Sequence, residues 1–185
     1  MPWRNSISGG EIDMLKINIQ LFGGRGSSSR ISTGFNMSRF RDNVNTYIGG
    51  GYTVQEIFSR AELNYMKQNS TYTDSPLYRV EDMGWMADKL KVGSKFNFDM
   101  PMKSFTRDAK AVTTLLRDAD DYGLYDTPVV FKTVGKTAHF NVTPYGNSYY
   151  KYQQESMVSG KGWKVKRISN EKIGGRKLKV IYIGR

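Results

Sequence analysis

Two side chains in this sequence have the type and spacing to share one site. They are Gln153 and Glu155, in the run Tyr149-Tyr150-Lys151-Tyr152-Gln153-Gln154-Glu155-Ser156-Met157. Residues two apart on a β-strand face the same way, so an extended run points both polar groups into one pocket. A single carboxylate and one amide would then share that site. Tyr149, Tyr150 and Tyr152 crowd the approach, where a flat ligand could be gripped. Taken alone, the same run also reads as an edge strand entered through a tyrosine-rich turn.

The composition narrows the chemistry. Cysteine is absent and His139 is the single histidine. Disulfides, thiolate nucleophiles and sulfur-bound zinc are excluded, and no resident metal is expected. No apolar run approaches the roughly 20 residues that span a bilayer, and residues 1–30 lack the apolar core and cleavage site of a signal peptide, so a soluble chain without membrane contact is expected. The formal charge is +11 over 185 residues and is concentrated late: residues 151–185 hold 10 Lys/Arg against 2 Asp/Glu. Such a surface attracts polyanions; equally, lysines on outer strand positions guard against edge pairing.

The length suits one domain with an appended arm. Residues 1–34, with two Gly pairs and Gly26-Ser27-Ser28-Ser29, read as a flexible Gly/Ser-rich arm. Residues 35–75 form a helical lead. Phe35, Met37, Phe40, Val44, Tyr47 and Ile48 fall at helical spacing, and a second helix starts at Thr53, with Glu56 placed to cap it, and continues to Met66. From residue 76 to 185 the texture becomes short β-prone runs: Leu77–Val80, Lys95–Phe98, Pro128–Val134, His139–Val142, Trp163–Ile168 and Leu178–Ile183. One more helix follows Thr106. About six short strands, with helices grouped at the N-terminal side, predict an α+β fold with a mixed β core.

Three anchors stand in order on these elements. Arg79 lies in Leu77-Tyr78-Arg79-Val80. Ser104-Phe105-Thr106 precedes a helix. Gln153-Gln154-Glu155 precedes Met157-Val158, a Gly turn at 160–162 and a basic strand. With spacings of 25 and 51 residues, the set resembles the arginine, serine and glutamate pattern of NAD-dependent mono-ADP-ribosyltransferases, in the branch of clostridial binary toxins and Rho-modifying exoenzymes. The resemblance covers residues 76–185. It implies that NAD is the co-substrate and that Arg79 grips its phosphates, with the backbone of Val80 toward the nicotinamide amide. It further implies that Ser104 holds Glu155 and the nicotinamide ribose, that Thr106 supports the same strand, and that Glu155 stabilises the oxocarbenium-like transition state. Gln153 then helps choose the acceptor, resembling the branch that modifies asparagine, and Tyr149, Tyr150 and Tyr152 meet the target. The acceptor is expected to be a macromolecule, protein rather than nucleic acid.

The segment Met14 to Gly26, with Leu15-Lys16-Ile17-Asn18-Ile19-Gln20-Leu21-Phe22-Gly23-Gly24, resembles the opening of phage head-gene products from Gram-positive hosts. This implies a phage-encoded protein acting in the bacterial host cytoplasm or carried in the virion, with Met14 as an alternative start. A competing reading is a head- or virion-associated binding protein with a basic, nucleic-acid-facing surface. In a third, Lys161, Lys164, Lys166, Arg167, Arg176, Lys177 and Lys179 contact nucleic-acid phosphates.

Overall fold

The structure, a computed structural model, describes residues 34–49, 53–83, 86–121, 123 and 125–185. Residues 1–33 of the expected arm, and with them the Met14 to Gly26 segment, lie outside the described residues. Helix α1 (Met37–Gly49) buries Phe40, Val44, Tyr47 and Ile48, the stripe its spacing demands. The next apolar stripe is two helices, not one. Glu56 caps α2 (Val54–Ile57) by accepting from the Thr53 N–H at 2.7 Å, but Phe58 is extended and Ser59 begins α3 (Arg60–Gln68) with its own capping box. The Glu62 carboxylate, wholly buried, accepts from the Ser59 N–H and hydroxyl, both at 2.7 Å. It also accepts from Asn43 Nδ2 at 3.0 Å and Arg39 Nε at 3.4 Å, which pins α3 to α1.

Nine strands form one mixed sheet among the described residues. Its order is β1 (Thr71–Thr73), β6 (Thr137–Asn141), β7 (Glu155–Ser159), β4 (Met102–Thr106), β2 (Tyr78–Asp82), β5 (Pro128–Thr133), β9 (Arg176–Gly184), β8 (Trp163–Ile173) and β3 (Lys95–Phe96). Only β5 and β9 run parallel; the other neighbours are antiparallel. With the helices α4 (Met86–Lys89) and α5 (Ala109–Asp121), the fold is α+β, as the sequence implies. β1 lies in a polar stretch that carries no strand signal. β7 sits between β6 and β4, so the run around Glu155 is internal and not an edge.

The sheet has a seam. β2 and β4 share a single register pair, Tyr78 with Thr106, whereas each runs alongside its other neighbour for its full length. Apolar packing closes the structure around this seam. Phe105 and Val158 from one half-sheet pack with Leu77, Phe131, Trp163 and Ile181 from the other. On another face, Val80, Val130 and Val180 bury Val112 and Leu116 of α5. The lead helices share a core with the sheet, since Phe40, Tyr47 and Phe58 pack with Met102, Phe140 and Met157. Each such fully buried side chain contributes about 1.5–3 kcal/mol. Register also lines up Glu155, Thr106, Tyr78, Lys132, Tyr182 and Arg167 in one row across six strands.

Candidate active site

The seam positions the first anchor. Where β2 and β4 diverge, backbone groups lose their ladder partners and must find others. Arg79 of β2 supplies one: its Nη1 donates to the Ser104 carbonyl at 2.7 Å. Its Nε donates to Glu81 Oε1 at 2.6 Å, two residues along the same strand and therefore on the same face. The Arg79 side chain is almost fully buried, at 4% exposure for the residue.

Ser104 and Glu155 meet on the other side of that carbonyl. The Ser104 hydroxyl donates to Glu155 Oε1 at 2.8 Å in a fully buried contact. Glu155 Oε2 is buried and accepts no hydrogen bond. Burial pushes the Glu155 carboxyl up to about 7, with the Ser104 hydrogen bond and the nearby Arg79 charge pulling the other way. Leaving a buried acceptor unsatisfied costs about 1–3 kcal/mol, so such an atom in a native core needs a reason. Thr106 fixes where β7 begins: its hydroxyl donates to the Gln153 carbonyl at 2.7 Å, and the Arg107 N–H donates to the Gln154 carbonyl at 3.2 Å.

The structure therefore brings Arg79, Ser104, Thr106 and Glu155 together. Val80 lines a small cavity with Arg79, Ser104 and Thr106, and is buried with α5. Gln153 requires a correction. It ends a 3-10 helix (Ser148–Gln153), and Gln154 has φ 45°, so the alternation of a strand does not relate Gln153 to Glu155. The Gln153 side chain is buried, not surface-facing. Tyr149, Tyr150 and Tyr152 belong to that 3-10 helix instead of a loop, and their side chains lie outside the described residues.

Two neighbours of the site have no role that the sequence alone assigns. Tyr47 of α1 is buried with its phenol close to Ser104, Glu155 and Arg79; burial, then the Glu155 charge, pushes that phenol far up, so it stays protonated. Its place in the helical stripe marks it as core, and only the tertiary packing brings its hydroxyl to this site. Glu81 is legible in principle, since it follows Arg79 by two on a strand and carries the opposite charge.

The cavity lined by Tyr78, Arg79, Val80, Ser104, Thr106, Val112 and Leu115 measures about 10 Å³, near the minimum for one water. Chemically, the arrangement offers one buried carboxylate held through a single oxygen, with a fixed cation nearby. The second carboxylate, Glu81, is engaged by Arg79 and by Lys103 at 3.5 Å, so a two-carboxylate hydrolysis is not what this site is built for. Among the described residues, no cluster of His, Asp and Glu could hold a metal ion. No helix among them is long and apolar enough to cross a membrane.

No family model matches the chain, and no curated protein does. Solved structures do. The type III effector XopAI from Xanthomonas axonopodis pv. citri, in a form truncated by 70 N-terminal residues, aligns at 14% identity and TM-score 0.41 over 64% of this chain, which spans 45% of that protein. An ADP-ribosyltransferase from Clostridium botulinum, solved in a triclinic crystal form, aligns at 11% identity and TM-score 0.42, covering 80% of this chain and 78% of that one. The ADP-ribosyltransferase Vis, solved in complex with agmatine, aligns at 12% identity and TM-score 0.49, covering 100% and 87%. Likenesses at these values transfer no residue role, and the chemistry of the site has to rest on its own geometry.

Proposed function

We propose that the chain is a mono-ADP-ribosyltransferase that cleaves NAD and transfers ADP-ribose to a macromolecule. The observation that carries the reading is Glu155: a buried carboxylate held through one oxygen by Ser104, with the other oxygen bare and a cation at the same site. A ribose hydroxyl is the kind of donor that bare oxygen lacks. In the reaction the bond from the ribose anomeric carbon to nicotinamide breaks and the electron pair leaves with nicotinamide. Glu155 stabilises the positive charge left on the sugar. The acceptor then attacks that carbon and gives up a proton. Arg79 supplies positive charge for the phosphates, and Thr106 holds the chain that carries Glu155. Since Arg79 and Glu155 are both buried, admitting NAD requires the elements over them to move. Gln153 helps choose the acceptor from its place beside Glu155, and must be uncovered to do so.

The test is nicotinamide release from NAD, with bacterial host lysate supplied as a source of acceptors. Wild type should release nicotinamide and label a macromolecule. Glu155→Gln should keep NAD affinity and lose turnover by about 10²-fold or more, as for removal of one preorganised electrostatic partner. If wild type releases none, the transferase reading gives way to that of a structural binding protein.

A second reading concerns the basic surface. From residue 161 to 185 there are 9 Lys/Arg and one acid, Glu171. Glu171 is engaged by Ser169 at 2.6 Å, by the Tyr182 hydroxyl and by Arg167 at 3.7 Å. Lys161, Lys164, Lys166, Arg167 and Lys177 are exposed; Lys179 pairs with Asp88. Of the exposed large apolar residues among those described, Phe35, Met37 and Tyr72 lie on other elements, whereas Val92 adjoins Gly93, which donates to the Val165 carbonyl, and Met86 shares a helix with the Asp88 that pairs with Lys179. Phosphate-backbone contact needs only cations, and this run of exposed cations supports nucleic acid as its partner. Binding of a labelled oligonucleotide should weaken steeply with salt, and charge removal at Lys164, Lys166 and Arg167 should flatten that dependence. No binding at about 50 mM salt would end this reading.

A further inference from the structure

Arg79 and Glu155 are opposite charges in one buried site, and they do not bond to each other. Attraction between unlike charges is strongest where water is excluded, so two such groups within reach should collapse into an ion pair. The charge of Arg79 reaches Glu155, yet Glu155 Oε2 accepts nothing. Register places Arg79 on the sheet face opposite Glu155, and two contacts help to hold it there. Its Nε is bound to Glu81 Oε1 at 2.6 Å and its Nη1 to the Ser104 carbonyl at 2.7 Å. Glu81 is itself steadied from behind. Lys103 Nζ lies 3.5 Å from Glu81 Oε1 and 2.6 Å from Asp99 Oδ1, and the Asp99 side chain is 68% exposed. Alternating charges thus run from solvent inward: Asp99, Lys103, Glu81, Arg79.

We infer that Glu81 is a positioning residue for the proposed transferase: it binds Arg79 on the face away from Glu155 and so keeps Glu155 Oε2 open for a ligand hydroxyl. Without the Glu81 charge, the guanidinium turns to the remaining buried carboxylate. The site then closes on itself as an Arg79–Glu155 ion pair, and neither group is available to substrate. The other groups near Glu155 do not substitute for Glu81. Tyr47 of α1 is neutral, Ser104 of β4 is already bound to Oε1, and Lys103 keeps Asp99 as its partner.

The proposal rests on the transferase reading, but its first readout needs no NAD. With glutamate labelled at the carboxyl carbon, the NMR signal lost in Glu155→Gln identifies Glu155, and its titration is followed in each variant. In wild type it should titrate near 7. In Glu81→Gln the midpoint should fall by about one unit or more, the usual effect of a directly paired arginine on a carboxyl group. An unchanged or raised midpoint overturns the proposal. Should Glu81→Gln fail to fold, the comparison moves to Arg79→Gln against Arg79→Gln with Glu81→Gln, in which the buried charges are removed as a pair. The Glu155 midpoints of these two variants should agree. A difference of about half a unit or more would mean that Glu81 acts on Glu155 without Arg79, and would overturn the proposal. Nicotinamide release is measured alongside and should fall at least about tenfold in Glu81→Gln at pH 7. If Glu81→Gln shows the titration shift but wild type releases no nicotinamide, the transferase reading falls and the Glu81 contact stands.

Discussion

Ser104 Oγ reaches Glu155 Oε1 diagonally across the β4–β7 ladder, which sets Ser104 opposite Met157 and Glu155 opposite Thr106. Diagonal neighbours on one sheet face are within reach of long side chains, so the 2.8 Å contact follows from register and needs no special loop. It is the sole hydrogen bond to this carboxylate among the described residues. Ser104→Ala should therefore raise the Glu155 midpoint above about 7, since the hydroxyl pulls it down. NAD cleavage at pH 7 should fall about tenfold or more and recover in part at higher pH. A pH–rate comparison of the two proteins measures this; parallel profiles with a common midpoint would contradict it.

Because only the ionised carboxylate stabilises a growing positive charge, wild-type nicotinamide release should rise with pH through about 7 and then level off. Initial rates at saturating NAD between about pH 5.5 and 8.5 decide it. A flat profile would mean that Glu155 is charged throughout the range and not shielded as its burial requires.

The same burial has a stability consequence, and its sign is fixed. Folding raises the Glu155 carboxyl from its ordinary 4.5 to about 7, so the folded chain binds this proton more tightly than the unfolded chain does. The associated stability is whole below about pH 4.5 and lost as pH rises to about 7, on the order of 3 kcal/mol in all. Glu155→Gln removes that loss. The variant should melt about 5 °C or more above wild type at about pH 8 and close to it at about pH 4.5. Thermal unfolding at both pH values tests the pairing of lower activity with higher stability.

Glu62 gathers four donors from α1 and α3 with no exposed surface. Glu62→Ala leaves Asn43 and the Ser59 N–H without their acceptor and opens the lead helices. Denaturant unfolding should show a loss of about 3 kcal/mol or more. A loss under about 1 kcal/mol would show that Arg39 and the helix ends rehydrate freely.

The strands under Arg79 and Glu155 are legible as short extended runs, whereas Met102–Thr106, under Ser104, reads only as the lead into a helix and proves to be a fully buried strand. The geometry around Gln153 is not legible. Two-residue alternation presumes a continuous strand, and nothing in the identity of Gln154 announces a left-handed backbone. Strand β1, Thr71–Thr73, is too short to show a period at all. The break between α2 and α3 is written in the sequence as Ser59-Arg60-Ala61-Glu62, a capping box inside an apolar stripe that reads as one helix if only periodicity is followed. Tyr47 and Glu81 illustrate the limit of reading one element at a time, since what each does at the site depends on a side chain elsewhere in the chain or on the neighbour two places back.

The two ends of the sheet bear on how the protein behaves when concentrated. Its terminal strands, β1 and β3, are three and two residues long. A foreign strand docking on these would find only a few open backbone groups, and beyond Trp163 and Lys164, which β3 pairs, the outer edge of β8 is guarded by the exposed Lys166, Arg167 and Lys172 and by the bulge between Val165 and Arg167. Seeded fibre growth needs a long, flat, uncharged template, so the long and strongly apolar strands β5 and β9 are kept from that role by lying inside the sheet with neighbours on both sides. Concentrated stocks should therefore stay clear without carrier salt, and turbidity should follow unfolding rather than precede it.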